Sequence, residues 1–296
     1  MKRILIVGSG DVALRTIPLL TGRYRVYALV RNTTYFAKLR DVGAIPVLGD
    51  LDVRASLSVI SNLADTILHL APPPNTGQRD TRTRNLLSAL SRSKRPERIV
   101  YISTSGVYGD CNGAWVSETH PLNAKSPRAQ RRVNAEKQVR DWARRNRVIA
   151  IILRVPGIYA DDRLPLSRIR QGTPGIAADE DSYTNHIHAD DLAHLIIAAL
   201  QRGKTCRVYH TSDDSNLKMG EYFDQVADAY NLPHVPRISR AEAQNVLSPT
   251  LLSFMNESRR LTNVRMKQEL KVQLRYPTVE ETLASIDHFD VHAARK

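Results

Sequence analysis

Short apolar runs alternate with amphipathic stretches through the first 155 residues of the chain. The runs are rich in β-branched residues and apolar throughout, and they lie at 4–7, 26–30, 45–48, 66–70, 99–103 and 148–153. Continuous apolarity is typical of strands buried on both faces, whereas half-exposed strands alternate apolar and polar positions. The pattern therefore predicts a parallel sheet that is covered on each side.

Helical spacing of apolar residues separates these runs, at 11–21, 33–41, 54–62, 77–92 and 127–146. A regular alternation of strands and helices is typical of a doubly wound parallel sheet. The sequence thus predicts an α/β fold with a doubly wound parallel sheet, which forms a first domain over residues 1–160.

The alternation ends after residue 153, where prolines and glycines predict that 154–188 is mostly loop. A helix is predicted at 190–201, with Asp190 or Asp191 as its N-cap, followed by a strand at 208–210. Further helices are predicted at 219–231, 239–246 and 278–287. We expect 161–296 to form a smaller mixed region, with 186–210 returning to the parallel sheet.

Composition narrows the class of protein. With 42% hydrophobic and 25% charged residues the chain is globular, and 43 basic against 30 acidic residues give a net charge of +13. That excess favours anionic partners. Cys111 and Cys206 form neither a disulfide framework nor a Cys-x-x-Cys metal pair, which predicts a cytoplasmic location. The apolar run at 4–7 is too short for a signal peptide, and no run suits a membrane span.

A glycine-rich turn follows the first predicted strand and opens the first helix. The segment Gly8-Ser9-Gly10-Asp11-Val12-Ala13 fits G-x-G-x-x-G/A. In such a turn the first glycine permits a tight bend, the second lets a pyrophosphate approach, and the third position needs a small residue. The helix N-terminus adds unpaired N–H groups. The alternative is a glycine turn that binds no ligand.

Two positions further along predict how the adenosine end would be bound. The second strand ends in Arg31, where NAD-specific sites carry a carboxylate, so a charge-assisted contact to a 2′-phosphate favours NADP. The alternative is a solvated surface arginine. Asp50, after the third strand, is placed to accept from the adenine amino group. It would also serve as N-cap for the helix predicted from residue 54.

Several segments beyond the glycine turn complete an ordered set, at 49–51, 68–72, 102–109, 153–159 and 185–192. Together they resemble the extended short-chain dehydrogenases/reductases, the NAD-dependent epimerase/dehydratase group, and especially its atypical NAD(P)-dependent oxidoreductase-like members. The resemblance spans residues 1–200, and it implies that 1–160 form a dinucleotide-binding Rossmann domain and 161–296 a smaller substrate region. It implies that NADP or NAD is bound by Gly8, Gly10, Asp11, Val12, Arg31, Asp50, Leu51, Ala71, Pro72, Arg132 and Pro156.

The resemblance also implies a catalytic centre that this sequence only partly retains. The family acts through Tyr-x-x-x-Lys with a Ser or Thr that hydrogen-bonds the substrate oxygen, and Thr104 matches that hydroxyl residue, with Ser105 beside it. The Tyr and Lys positions, however, fall on Arg128 and Arg132. A guanidinium with a pKa above ~12 does not exchange protons near neutrality. Replacement proton donors are predicted among loop residues near the sheet edge: Tyr108, Tyr159, Tyr183 and His186.

The helix at 127–146 carries many arginines, which raises two hypotheses about partners. Nucleic-acid binding is disfavoured because Glu136 and Asp141 interrupt the basic run and aromatic residues make up only 6%. Ala135, Val139 and Trp142 form an apolar stripe on the same helix. Because the family dimerises through this region, the resemblance favours packing against a second subunit there.

His186, His188 and Asp190 share one side of an extended segment, but they have no further metal-ligand partners, so we predict no metal site.

The sequence as a whole predicts an NAD(P)-binding oxidoreductase or epimerase/dehydratase-like protein that acts on a small carbonyl or hydroxyl substrate. The alternative is a dinucleotide-binding sensor, scaffold or nucleic-acid-binding protein without redox chemistry.

Overall fold

A seven-stranded parallel sheet forms the centre of the protein, whose computed structural model describes residues 1–285. Its strands are β1 Lys2–Val7, β2 Tyr24–Val30, β3 Ile45–Leu48, β4 Thr66–His69, β5 Arg98–Thr104, β6 Ile149–Val155 and β7 Arg207–His210. Their order across the sheet is β7-β6-β5-β4-β1-β2-β3. This is the predicted doubly wound arrangement, and all seven predicted strands are present.

Burial on both faces explains why these strands are apolar throughout. Ile4 and Ile6 of β1 contribute to one core cluster, whereas Leu5 and Val7 contribute to another, and all four are fully buried. Successive side chains of a strand point to opposite faces, so a strand covered on both sides needs an apolar residue at every position.

Eleven helices lie in the part of the chain that the structure describes. They are α1 Asp11–Leu20, α2 Phe36–Asp41, α3 Thr81–Leu90, α4 Pro127–Asn146, α5 Leu166–Arg170, α6 Ala189–Arg202, α7 Met219–Ala229, α8 Arg240–Val246, α9 Pro249–Met255, α10 Val264–Leu270 and α11 Val279–Ala284. Helices α1, α2 and α6 cover one face of the sheet, and α3 and α4 cover the other.

Two of the predicted helices differ from the observed ones. The stretch at 54–62 forms a 3₁₀ helix, Arg54–Ile60, with Val53 as its N-cap, so Asp50 does not cap it. Helix α3 begins at Thr81 instead of residue 77, because the carboxylate of Asp80 accepts from the backbone N–H of Thr83 at 2.9 Å and fixes the helix start.

The N-cap of α6 is also different from the prediction. His188 occupies that position, and its Nδ1 accepts from the backbone N–H of Asp190 at 3.3 Å. Asp191 instead accepts from the backbone N–H groups of Arg275 and Tyr276, at 3.0 and 2.9 Å. This contact between distant segments ties the start of α6 to the chain before α11.

Residues after 155 form more regular structure than the sequence predicted. Helices α5, α9 and α10 were not expected, and short strands pair within this region, for example Gly157–Tyr159 with His186–His188. Arg207–His210 pairs with β6 and so belongs to the central sheet. The last predicted helix, 278–287, is observed as Val279–Ala284, and its final two predicted residues lie outside the described range.

The apolar stripe of α4 packs inside its own chain. Ala135, Val139 and Trp142 belong to the core cluster on one face of the sheet, and the Trp142 indole N–H donates to Ser91 Oγ at 2.8 Å. The stripe is therefore not the dimer surface that the sequence suggested, and a homodimer stays a prediction without it. Among residues 1–285 there is no helix with the length and apolar content to cross a membrane.

Candidate functional site

A cleft of about 750 Å³ opens at the carboxyl ends of β1 to β4. It lies where the chain order reverses, with β4 on one side of β1 and β2 on the other. Open α/β sheets bind ligands at this switch point, because the loops after neighbouring strands diverge there. The cleft is lined by residues 7–13, 29–32, 49–51 and 70–72, together with Tyr35, Arg82, Ile158 and Arg163.

The two glycines of the turn meet different requirements. Gly8 has a φ of +101°, and a Cβ there would lie 2.7 Å from Ala71 Cα and 2.9 Å from the Leu70 carbonyl carbon. It is therefore required by the fold, since β1 passes directly against the end of β4. Gly10 has an ordinary φ of −85°, and a Cβ there would meet no atom within 4 Å. The fold does not need glycine at position 10, but a ligand in the cleft would.

The start of α1 presents backbone donors to this cleft. Gly10 is the N-cap and supplies no side-chain hydrogen bond, so the first N–H groups of the helix face the cleft without a capping partner. Asp11 lies beside them, but its carboxylate is paired with Arg15 at 3.1 Å and with Arg163 at 2.8 Å. These ion pairs offset the negative charge next to an anion-binding turn.

Arg31 lies at the far end of the cleft and is exposed. Within residues 1–285 its side chain has neither a hydrogen-bond acceptor nor an ion-pair partner. Nearby, Arg82 reaches the cleft from α3 and donates to Asp52 at 2.7 Å. That ion pair holds the pKa of the Asp52 carboxyl below its ordinary value. Of these two guanidiniums, the one of Arg82 is paired, and the one of Arg31 is unpaired within residues 1–285.

Asp50 lines the cleft and has one oxygen engaged locally. Its Oδ1 accepts from the backbone N–H of Asp52 at 2.9 Å, which closes a tight turn after β3. Its backbone N–H donates to Ser56 Oγ at 2.9 Å. The turn fixes the carboxylate at the cleft wall, where the second oxygen is available to a ligand.

Sequence reasoning missed four residues of this cleft: Asn32, Tyr35, Arg82 and Arg163. Asn32 directly follows Arg31 and Tyr35 lies four residues after it, so the same loop could have suggested them. Arg82 and Arg163 reach the cleft from 30 or more residues away in sequence, and no local pattern marks them.

The hydroxyl residues after β5 form a second group outside the cleft lining. Thr104 ends the strand half-buried, and its Oγ1 accepts from the backbone N–H of Gly106 at 3.3 Å. Ser105 is 5% exposed and begins a 3₁₀ turn, Ser105–Tyr108. Residues from the far end of the chain cover this turn. Arg259 donates to Glu257 at 2.9 Å and to Ser105 Oγ at 3.4 Å.

A comparison with protein-family models matches residues 4–211 to the NAD dependent epimerase/dehydratase family. The chain belongs to this family. The match covers the glycine turn, the cleft and the Thr104 segment together. Membership confirms the resemblance, the Rossmann fold and the prediction of a nicotinamide dinucleotide as the cofactor class.

Individual relatives are distant. A conserved protein of unknown function from Silicibacter pomeroyi covers 100% of both chains at 26% identity and a TM-score of 0.79. UDP-glucuronic acid 4-epimerase from Bacillus cereus, solved with UDP-glucuronic acid and NAD, shares the fold at 18% identity, a TM-score of 0.74, and coverage of 95% and 96%. A ketoreductase from Stigmatella aurantiaca, named for a farnesyl-dihydroquinoline oxide, is 30% identical over 132 residues, which are 41% of this chain and 39% of that protein.

Tyr108 is not placed to replace the tyrosine that this family uses. It is fully buried, and its hydroxyl lies 2.6 Å from Arg154 Nη1 and 2.5 Å from His210 Nε2. Burial raises the pKa of Tyr108 to about 12, even though the Arg154 charge acts the other way. This placement corrects the prediction of Tyr108 as a proton donor, because the hydroxyl is enclosed and already paired.

Arg132 and Pro156 lie outside the cleft lining as well. The Nη1 of Arg132 donates to the Ile102 carbonyl at 2.8 Å and to the Tyr101 hydroxyl at 3.1 Å. Pro156 directly follows β6 and is half-buried. Both lie on segments next to Thr104, on the side where the nicotinamide end of the cofactor is expected.

The other predicted proton donors differ in access. Tyr159 is buried, and its hydroxyl lies 2.9 Å from Thr282 Oγ1. His186 is also buried, and burial lowers its pKa to about 3. Tyr183 is half-exposed beneath the Arg260 guanidinium, 4.4 Å from the ring centre. Among residues 1–285 there is no group of three or more His, Cys, Asp or Glu side chains arranged to hold a metal ion, and the absence of a metal site stays a prediction.

Proposed function

We propose that the protein is an NADP-dependent oxidoreductase, or an epimerase/dehydratase-like enzyme, that acts on a small carbonyl or hydroxyl compound. The observation that carries this proposal is the cleft at Gly10, where space that a Cβ would fill lies open beside the uncapped start of α1. Family membership supplies the class of cofactor. The choice of NADP, the reaction and the substrate are our inferences.

Each end of the cofactor would be held by different groups. The N–H groups at Gly10 and the start of α1 suit a diphosphate, and Arg31 suits a 2′-phosphate. Asp50 is placed for the adenine amino group. When bound, the cofactor supplies hydride exchange at its nicotinamide ring. Thr104 donates no side-chain hydrogen bond within residues 1–285, so its hydroxyl is available to a substrate oxygen.

Gly10→Ala tests the phosphate turn without altering the fold. The added methyl group meets nothing in the protein itself but occupies the space we assign to the diphosphate. We expect NADPH binding, followed by coenzyme fluorescence, to weaken by roughly tenfold to a hundredfold, as overpacking predicts, while the melting temperature stays unchanged.

Gly22→Ala is the matched control for this experiment. A Cβ at Gly22 also meets nothing within 4 Å, and Gly22 lies before β2, away from the cleft. Equal NADPH affinity of the Gly10→Ala variant and the wild type would contradict the proposal. So would a wild-type protein that binds neither NADPH nor NADH at millimolar concentration.

Arg31→Gln tests the preference for NADP. Loss of a charge-assisted hydrogen bond to the 2′-phosphate should weaken NADPH binding by roughly 10- to 100-fold, whereas NADH binding should not change. Titration of both coenzymes measures the ratio. Arg23→Gln serves as the control. Arg23 is exposed just before β2, at the amino ends of the strands, whereas the cleft lies at their carboxyl ends. Equal losses for both coenzymes would refute the assignment.

A second function is favoured by one specific observation. Tyr108 is enclosed, and we infer from the sequence that Arg128 and Arg132 occupy the positions of the family's Tyr and Lys. These departures favour a protein that binds the dinucleotide without redox turnover, as a sensor or scaffold. The two proposals differ in whether the purified protein consumes NADPH with any carbonyl compound.

We further propose 1–160 as the dinucleotide-binding domain and 161–296 as the substrate region.

The basic residues of α4 do not support a nucleic-acid surface over its whole length. Arg131 donates to the Gly77 carbonyl at 2.6 Å, Arg132 to the end of β5, and Arg140 to Glu136 at 2.8 Å. These arginines serve contacts within the chain. A cytoplasmic location stays a prediction.

A further inference from the structure

One guanidinium near Thr104 has no hydrogen-bond acceptor. Arg128 lies in the first turn of α4 and is half-buried. Its Cζ lies 3.9 Å from the ring centre of Phe254, so the planar group stacks on an aromatic face. Within residues 1–285 its side chain donates no hydrogen bond and forms no ion pair. Its donors are held in a fixed plane but are not used.

The surroundings of Arg128 are strongly positive. Arg131, Arg132 and Arg259 are close enough that their charges, together with burial as the largest cause, lower the pKa of the Arg128 guanidinium. Glu257 is the carboxylate that opposes them, and it is already paired with Arg259 at 2.9 Å. Three of the four charged neighbours that act on Arg128 most strongly are therefore arginines, and the fourth is Glu257. A buried excess of positive charge is costly unless an anion offsets it.

The neighbouring arginines are partly engaged by contacts within the chain. Arg132 and Arg131 donate to backbone carbonyls of Ile102 and Gly77. Arg259 donates to the Gly109 carbonyl at 2.8 Å, as well as to Glu257 and Ser105. Among residues 1–285, Arg131 Nε and Arg259 Nε are buried without a hydrogen-bond partner, whereas the Arg128 guanidinium makes no hydrogen bond from any of its nitrogens.

This positive group adjoins the hydroxyl that we assign to the substrate oxygen. Helix α4 packs on the 3₁₀ turn that follows Thr104, and a Cβ on Gly106 would lie 3.7 Å from Glu257 Oε2 and 3.7 Å from Thr104 Oγ1. Arg132 reaches the carbonyl of Ile102, two residues before Thr104 on the same strand. The turn, Glu257 and the arginines thus share one small volume.

We propose that the substrate carries an oxyanion, a carboxylate or a phosphate, that Arg128 binds while Thr104 contacts the reacting oxygen. This inference rests on the proposed function and adds the class of substrate. A guanidinium stacked on Phe254 presents a planar fork that matches a carboxylate or phosphate with two parallel hydrogen bonds. Neutral carbonyl compounds would leave the excess charge uncompensated.

Calorimetric titration of the full chain tests this site directly. The protein is saturated with NADPH, so that the diphosphate turn is filled, and is titrated separately with inorganic phosphate and with malonate at constant ionic strength. We expect at least one of the two anions to bind, and Arg128→Gln to weaken that binding by about tenfold or more. Arg128→Lys should give an intermediate loss, since lysine keeps the charge but not the fork.

Arg144→Gln is the matched control, because it removes the same charge from the other end of α4, where the side chain is 73% exposed. It should bind the anion as the wild type does. If phosphate alone binds, the substrate is phosphorylated; if malonate alone binds, it is a carboxylate.

The outcomes separate the two proposals. Failure of the wild type to bind NADPH removes the proposed function and this inference together. If NADPH binds normally to every variant but neither anion binds, or Arg128→Gln binds them as tightly as the wild type, only this inference is overturned.

Discussion

Glu136→Gln is expected to lower the free energy of unfolding by about 3–5 kcal/mol, because it leaves a buried guanidinium without its counter-charge. The Glu136 and Arg154 side chains are 0% and 3% exposed. Glu136 Oε2 accepts from Arg154 Nη2 at 2.8 Å, and its Oε1 accepts from Arg154 Nε at 3.0 Å and from Ser103 Oγ at 2.6 Å. Urea denaturation at neutral pH measures the loss.

Two further variants show whether the loss comes from the broken pair. Asp141→Asn removes a half-exposed carboxylate of the same helix, 3.9 Å from Arg144, and should change stability by less than ~1 kcal/mol. Replacement of Glu136 and Arg154 together by methionine should cost less than the sum of the single changes. A loss for Glu136→Gln no larger than that for Asp141→Asn would refute the interpretation.

The same pair predicts a pH dependence with a definite sign. Burial opposes ionisation of Glu136, but the hydrogen bond and charge of Arg154 outweigh it and hold the pKa of Glu136 below its ordinary value. A depressed carboxyl pKa contributes stability that is present near neutrality and is lost as the pH falls through the folded-state pKa. This decrease in stability at acidic pH should be absent from the Glu136→Gln variant.

Asp213→Asn is expected to stabilise the protein at pH 8 by roughly 3–5 kcal/mol and to have little effect at pH 4. Asp213 is 4% exposed, and burial raises the pKa of its carboxyl to about 8, although hydrogen bonds from Ser215 act the other way. Between pH 4 and pH 8 the unfolded chain releases this proton and the folded chain retains it. Wild-type stability should therefore fall with pH, by up to ~1.4 kcal/mol per unit from this group.

Buried histidines such as His186 and His210 also have different pKa values in the folded and unfolded states, so they too make stability depend on pH. The contribution of Asp213 is therefore taken from the difference between the unfolding free energies of the wild type and the Asp213→Asn variant. Denaturation curves at pH 5, 6, 7 and 8 give the slope of that difference. Asp179→Asn, at an exposed position, should show no such slope. A pH-independent difference between Asp213→Asn and wild type would contradict the prediction.

Local sequence patterns were sufficient to predict the strands of the sheet and the residues that form one wall of the cleft. The strands are readable because burial on both faces demands apolar residues at every position, as in β1. Gly8 and Gly10 could be predicted because β1, the turn and the start of α1 are consecutive in the chain, and Arg31 could be predicted because it directly follows β2. Their geometry follows from backbone constraints over a few residues.

Side-chain partners across long sequence separations could not be read in this way. Only the folded chain shows that Arg154 and His210 enclose the Tyr108 hydroxyl, that α4 turns its apolar stripe inward, and that Glu257 and Arg259 cover the turn after Thr104. Each depends on which segments pack together, about 150 residues apart in the case of Arg259 and Ser105. The sequence by itself determined the glycine turn and the loop at Arg31 that line the cleft, because the conformation of each is set by residues close in the chain. Tertiary packing decided what surrounds Thr104, because the burial and charge there come from segments that meet only on folding.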